Sequence, residues 1–139
     1  MKKLVLILAA ALAAPAAAQV APLNFETGKL LPLTSGQWTY LPTATGSEAR
    51  FGSVLAMRCD RATRVVTIER FGAGPVSLQV ATSSVSRALP AGGRLLASDP
   101  LLDAIAFSRG RFLVSGGAAG VLAIPAWPEA ARSIEDCRS

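Results

Sequence analysis

Asp99 and Asp103, four residues apart in the stretch SDPLLDAIAFSRGRFLVSG, are the pattern in this chain that most invites catalysis. On a short helix that spacing puts both carboxylates on one side, where they could serve as a general acid/base pair. The same positions have a plainer use. A side-chain oxygen at a helix start accepts from an unpaired first-turn N–H, and an acid there complements the dipole. The plainer reading is preferred. Asp60, Glu135 and Asp136 flank the two cysteines and could meet as a cation site. A hard cation needs many convergent oxygen ligands, which the spacing does not offer, so they read as solvated charges beside Arg58, Arg61 and Arg138. The loop SGGAAG has the composition of a phosphate cradle but precedes a strand. An anion-binding loop needs a helix behind it to aim its free N–H groups, so this one reads as a hairpin turn.

The chain has 139 residues and no histidine, which removes Ser-His-Asp triads, Cys-His dyads and imidazole metal sites. No G-x-S-x-G elbow and no Ser-x-x-Lys pattern occurs, and Cys59 and Cys137 are expected to be oxidised. No catalytic residue, metal or cofactor is therefore assigned. Six aromatic residues, Trp38, Tyr40, Phe51, Phe107, Phe112 and Trp127, could line a groove, although strand aromatics usually fill a core because each buries a large apolar area. Phe107 is the exception. It lies off the Leu101–Leu102–Ile105 stripe, and so packs sideways or stands exposed beside Arg109. Phe107, Arg109 and Arg111 form the candidate partner- or anion-binding knuckle, weighed against a purely structural role for SRGR. In that structural role Arg109 closes the last helical turn, and Arg111 points into water or toward an acid.

The elements that must carry these residues begin after a leader. Lys2 and Lys3, the apolar run from Leu4 to Ala14 and the small residues Ala16–Ala18 read as a signal peptide, residues 1–18, cleaved after Ala18. The apolar run is too short for a stable membrane span, which needs about 20 residues. Removing Lys2 and Lys3 leaves twelve of the 14 basic residues against 9 acids, so the net charge falls from +5 to +3. The arginines are scattered rather than clustered, so no nucleic-acid partner is indicated. Two cysteines in an exported chain read as a disulfide, Cys59–Cys137.

Residues 19–36 read as an extended lead-in and 37–139 as one β-rich domain. Strands are expected at Gln37–Leu41, Ser53–Arg58, Arg64–Arg70, Val76–Thr82, Arg94–Ala97, Phe112–Val114 and Val121–Ile124, with TATGSEARFG as a loop and Cys59 in a turn. Val76–Thr82 shows the clearest alternation. Short Gly/Pro turns between strands favour antiparallel pairing. Helices are expected over 99–109, stopped by Gly110, and over 128–137. In the second, Ala130, Ile134 and Cys137 share the buried stripe. The expected fold is mainly β: an antiparallel sandwich or small barrel of about six or seven strands, two short helices and one disulfide.

The segments LLDAIAFSRGRFLV and PAWPEAARSIEDCR resemble those of short periplasmic or secreted proteins of Gram-negative-type bacteria that have no assigned activity. The likeness runs from about Trp38 to Arg138. The layout is also loosely similar to invasion-associated locus B type β-sandwich proteins. These resemblances imply export and the disulfide and supply no functional residues. The function expected is a non-catalytic binding, interaction or inhibitor-type protein of the cell envelope, whose partner is another envelope or secreted protein. A carboxylate-only hydrolase and a small-ligand carrier are the alternatives.

Overall fold

The computed structural model describes residues 13, 22–74 and 76–139. The signal peptide expected over 1–18 falls outside them except for residue 13, as does the lead-in before Pro22. Among the described residues nine strands form two antiparallel sheets, with three short helices and a Cys59–Cys137 disulfide. The strands are β1 (Trp38–Pro42), β2 (Gly46–Phe51), β3 (Leu55–Asp60), β4 (Val65–Arg70), β5 (Gln79–Ala81), β6 (Ser86–Ala88), β7 (Arg94–Leu96), β8 (Arg111–Ser115) and β9 (Leu122–Pro125). One sheet has the order β1-β2-β3-β4-β7 and the other β6-β5-β8-β9, and neither order closes into a barrel.

Alternation explains the five-stranded sheet. Ala49, Met57 and Ile68 are cross-strand partners in the core, as are Phe51 and Leu55. The opposite face carries Glu48, Arg58, Arg50 and Glu69, joined as ion pairs across β2, β3 and β4, with Arg50 and Arg58 stacked on Phe71. One dry face and one charged face is the pattern of an antiparallel sheet with solvent on one side. The core is closed by Val80, Val114, Phe112 and Ile124 from the second sheet.

Three helices complete the fold: α1 (Phe25–Gly28), α2 (Pro100–Ala106) and α3 (Pro128–Asp136). Helix α3 lays Ala130 and Ile134 on the five-stranded sheet. Ser133 Oγ sits between Ser47 Oγ at 3.1 Å and the Met57 carbonyl at 3.3 Å, so a buried hydroxyl is satisfied. Cys137 caps the helix and Cys59 stands in β3, their Cα atoms 5.5 Å apart.

Several expectations are corrected. The lead-in is not extended throughout: Asn24 Oδ1 accepts from the Glu26 N–H at 2.8 Å and starts the one-turn helix α1. That turn lays Leu23 and Phe25 on Ala81, Leu113 and Ala123, so the second sheet is covered on both faces. Gly28 abuts the Leu113 side chain closely enough that a Cβ would collide with it. GSEARF is a strand, not a loop. Ser47, Ala49 and Phe51 face inward while Glu48 and Arg50 face the charged side, an alternation masked by its turn-forming residue types. Cys59 therefore lies in a strand, not a turn. In Val76–Thr82 only Gln79–Ala81 pairs as strand, because Val76 N–H bonds back to the Gly74 carbonyl and Ser77 Oγ donates to the Leu89 carbonyl. Ser86–Ala88, inside an expected polar loop, is a further strand, so the described strands number nine rather than six or seven.

Candidate functional site

Helix α2 forms where the sequence provides a cap, a proline and an apolar stripe. Asp99 Oδ1 accepts from the Leu101 N–H at 2.9 Å, Pro100 begins the helix, and Leu101, Leu102 and Ile105 are buried. The helix ends at Ala106, earlier than expected, and Phe107 is its C-cap, with the Phe107 N–H bonded to the Asp103 carbonyl at 2.9 Å. Gly110 adopts φ +74° in the turn into β8 rather than as the helix stop, and Arg109 is outside the helix, not in its last turn. Phe107 therefore swings off the buried stripe and is 82% exposed.

Beside α2 runs β6, one of the two edge strands of the four-stranded sheet. Val85, Arg87, Pro100, Leu101, Ala104 and Phe107 line a groove of about 440 Å³ between them, and Ser84 and Asp103 belong to the same lining. Its polar residues are held by partners. Arg87 Nη2 donates to Asp99 Oδ2 at 2.8 Å, and Arg138 Nη1 donates to Asp103 Oδ1 at 2.8 Å. The Arg87 hydrogen bond, helped by that from the Leu101 N–H, holds the Asp99 carboxyl below its ordinary value despite partial burial. A general acid needs the opposite shift. Asp99 and Asp103 thus serve a cap and two ion pairs to different elements, and they do not converge as an acid/base pair.

The SRGR turn is built into the scaffold. Ser108 Oγ donates to the Arg111 carbonyl and accepts from the Ser83 N–H at 2.9 Å, while the Arg109 N–H donates to Ser83 Oγ at 3.0 Å. These bonds fasten the turn before β8 to the loop that enters β6. Arg111 Nη1 donates to the Leu31 carbonyl, so Arg111 holds the lead-in rather than facing water or an acid. Phe107 lines the groove, Arg111 is turned to the lead-in, and Arg109 is exposed with no ion pair among the described residues. The expected three-residue knuckle is therefore divided, and only Phe107 reaches the groove.

The other expected clusters are accounted for one by one. Asp60 Oδ1 accepts from the Ala62 N–H at 3.0 Å in a turn, Glu135 pairs with Arg138, and Asp136 accepts from Tyr40 and pairs with Arg61. Among the described residues no group of three or more acids and cysteines could hold a metal ion. The hydrogen bond from Tyr40 holds the Asp136 carboxyl below its ordinary value. SGGAAG carries the reverse polarity of a phosphate loop. Arg70 Nη1 donates to the carbonyls of Gly116 at 3.2 Å and Gly120 at 3.0 Å, and Nη2 donates to that of Ala119 at 2.9 Å, so carbonyls line the loop. Trp38, Phe51 and Phe112 are core residues, with Trp38 edge-on to Phe51 at 5.4 Å. Tyr40 lies under the Arg132 guanidinium at 4.0 Å.

Sequence reasoning missed Val85 and Arg87, because the Thr-Ser-Ser run before them reads as loop. It also missed Arg70, whose neighbours in strand order give no hint of the hairpin loop it holds. The interior between the sheets is filled by Phe51, Leu55, Met57, Ile68 and Phe112, each at most 1% exposed. No helix among the described residues is long and apolar enough to cross a membrane. Comparison with protein-family models, with curated proteins and with solved structures finds nothing that matches this chain.

Proposed function

We propose that this chain is a non-catalytic binding protein of the cell envelope or the secreted fraction, and that it meets a protein partner through the groove between α2 and β6. The observation that carries the reading is Phe107, the C-cap residue of α2, an aromatic side chain 82% exposed that lines an apolar groove. Exposed aromatics beside a pocket are the residues that most often anchor protein interfaces, because covering one removes a large apolar area from water. The leader pattern and the disulfide support an exported location, since disulfides persist in oxidising compartments. The hydrolase reading loses support because Asp99 and Asp103 are each engaged by an arginine. The carrier reading loses support because large side chains fill the core.

The test is capture of partners from a periplasmic extract on immobilised wild-type protein, on Phe107→Ser and on Trp127→Ser, a second exposed aromatic outside the groove. Loss of a partner with Phe107→Ser alone is the expected result. Equal capture by all three proteins overturns the reading.

A further inference from the structure

The open edge of β6 says what kind of partner the groove fits. The β5–β6 register pairs Gln79 with Ala88, Val80 with Arg87 and Ala81 with Ser86. Continuing the same register, the Leu89 N–H donates to the Leu78 carbonyl at 2.7 Å and the Thr82 N–H to the Val85 carbonyl at 2.8 Å. Hydrogen-bonded pairs alternate along an antiparallel ladder, so residues 85, 87 and 89 aim their backbone groups at β5. Ser86 and Ala88 therefore aim both N–H and C=O away from the sheet. Since β6 ends the order β6-β5-β8-β9, those four groups meet no strand among the described residues. Such an edge is a template for another strand.

Side-chain parity places the groove on the same edge. Leu89 is buried, and Val85 and Arg87 stand on its face of β6, the face toward α2. A strand added beside β6 would set alternate side chains over Ala104, Pro100 and Phe107. Asp99, Asp103 and Glu26 near this edge are each ion-paired, so the charge left over is one-sided. Exposed Arg109 adjoins Ser83 at the entry to β6, and exposed Arg94 lines a second groove with Arg87, Ala88 and Asp99 at its exit. Neither Arg109 nor Arg94 has an ion pair among the described residues. Pairing β6 with β6 of a second copy would bring these arginines together and is disfavoured by like charge.

We infer that β6 accepts an extended segment of another protein as an added antiparallel strand, with apolar residues alternating into the groove and acidic residues at its ends meeting Arg94 and Arg109. This inference rests on the binding role proposed above and names its partner by chemistry.

The probe is a nine-residue peptide of alternating threonine and valine with aspartates at both ends. Binding is followed by amide NMR and hydrogen exchange on the full protein. The expected result is binding that slows exchange at the Ser86 and Ala88 amides at least tenfold. A lysine-ended peptide and one N-methylated at alternate amides each bind at least tenfold more weakly. Ala88→Pro also weakens binding at least tenfold. Its N–H faces away from β5, so the ladder tolerates proline there, and the methylated peptide gives the same information should the variant fold poorly. Undiminished binding of the methylated peptide overturns strand addition. If the extract partner is lost with Phe107→Ser while the methylated peptide still binds normally, the groove reading stands and this inference alone falls. Self-association of the free protein that Ala88→Pro abolishes makes a second copy the occupant and likewise overturns it.

Discussion

Replacing both cysteines by alanine tests how much of this fold depends on its staple. The bridge joins Cys59 in β3 to Cys137 at the end of α3, 78 residues later. Closing a loop of that length removes unfolded-chain entropy worth about 4.5 kcal/mol in the chain-entropy model. Both cysteines are buried, at 3% and 0% exposure, so alanine also leaves a small apolar gap at each site. Other contacts hold α3 without the bridge: Ala130 and Ile134 in the core, the Ser47–Ser133 hydrogen bond, Tyr40 with Asp136, and Arg138 with Asp103. The double variant is therefore expected to stay folded and lose about 3–5 kcal/mol, a large share of a typical domain's 5–15 kcal/mol. Urea titration measures the loss, and the m-value should rise because the unfolded chain is less compact. Amide exchange should show α3 opening before β2, β3 and β4, since helix ends are tied to the sheet by fewer contacts than strands. A loss below about 1 kcal/mol refutes the entropic reasoning. Two free thiols in protein made in an oxidising compartment refute the pairing itself.

Three further outcomes follow from particular side chains. Arg70→Met removes the donors that hold the Gly116, Ala119 and Gly120 carbonyls; about 2 kcal/mol of stability is expected to go, because the loop is exposed and its carbonyls can turn to water. A loss too small to measure by urea titration would show that the loop holds itself. The Asp99 and Asp136 carboxyls are held below their ordinary values, by Arg87 and Tyr40 respectively, and Glu48 likewise, where burial pushes the carboxyl up but the hydrogen bonds and positive charges of Arg58 and Arg50 together outweigh it. The folded state then binds fewer protons than the unfolded chain around pH 3–4. Stability should be full above the ordinary carboxylate range and fall as pH drops through it, and Asp136→Asn should flatten a plot of unfolding free energy between pH 2 and 6. Gly93→Ala should cost about 2–4 kcal/mol in thermal or urea unfolding. Gly93 holds φ +65°, and a Cβ there would collide with the Ile68 backbone carbonyl, so the β4–β7 junction must shift.

Much of the scaffold is legible before any coordinates. Alternation in VVTIER and the capped, proline-led start of α2 survive folding because each is a local instruction, satisfied within one element. The Cys59–Cys137 pairing is legible for another reason: with two cysteines there is one way to join them. The misreadings are equally specific. GSEARF contains a loop's residue types, and its strand character emerges only when β1 and β3 pair on either side and the charged residues find the wet face. The Asp99–Asp103 spacing holds as a spacing, yet whether two carboxylates face a substrate or two arginines depends on β6 and the end of α3, which approach from elsewhere in the chain.

The candidate site divides in the same way. Sequence alone marks Phe107 as off the helical stripe, since a residue's angular position on a helix is set by its number. It also excludes histidine chemistry, because composition needs no fold to be read. It cannot say that Phe107 stands beside Val85 and Arg87 or that Ser86 and Ala88 turn their backbones outward. Those facts follow from strand order and register, which are set by which long-range contacts bury the most apolar surface together. SRGR shows the boundary most clearly. Its turn chemistry is local, but Ser83 and Leu31, the partners that hold it, reach it only through the closed tertiary structure.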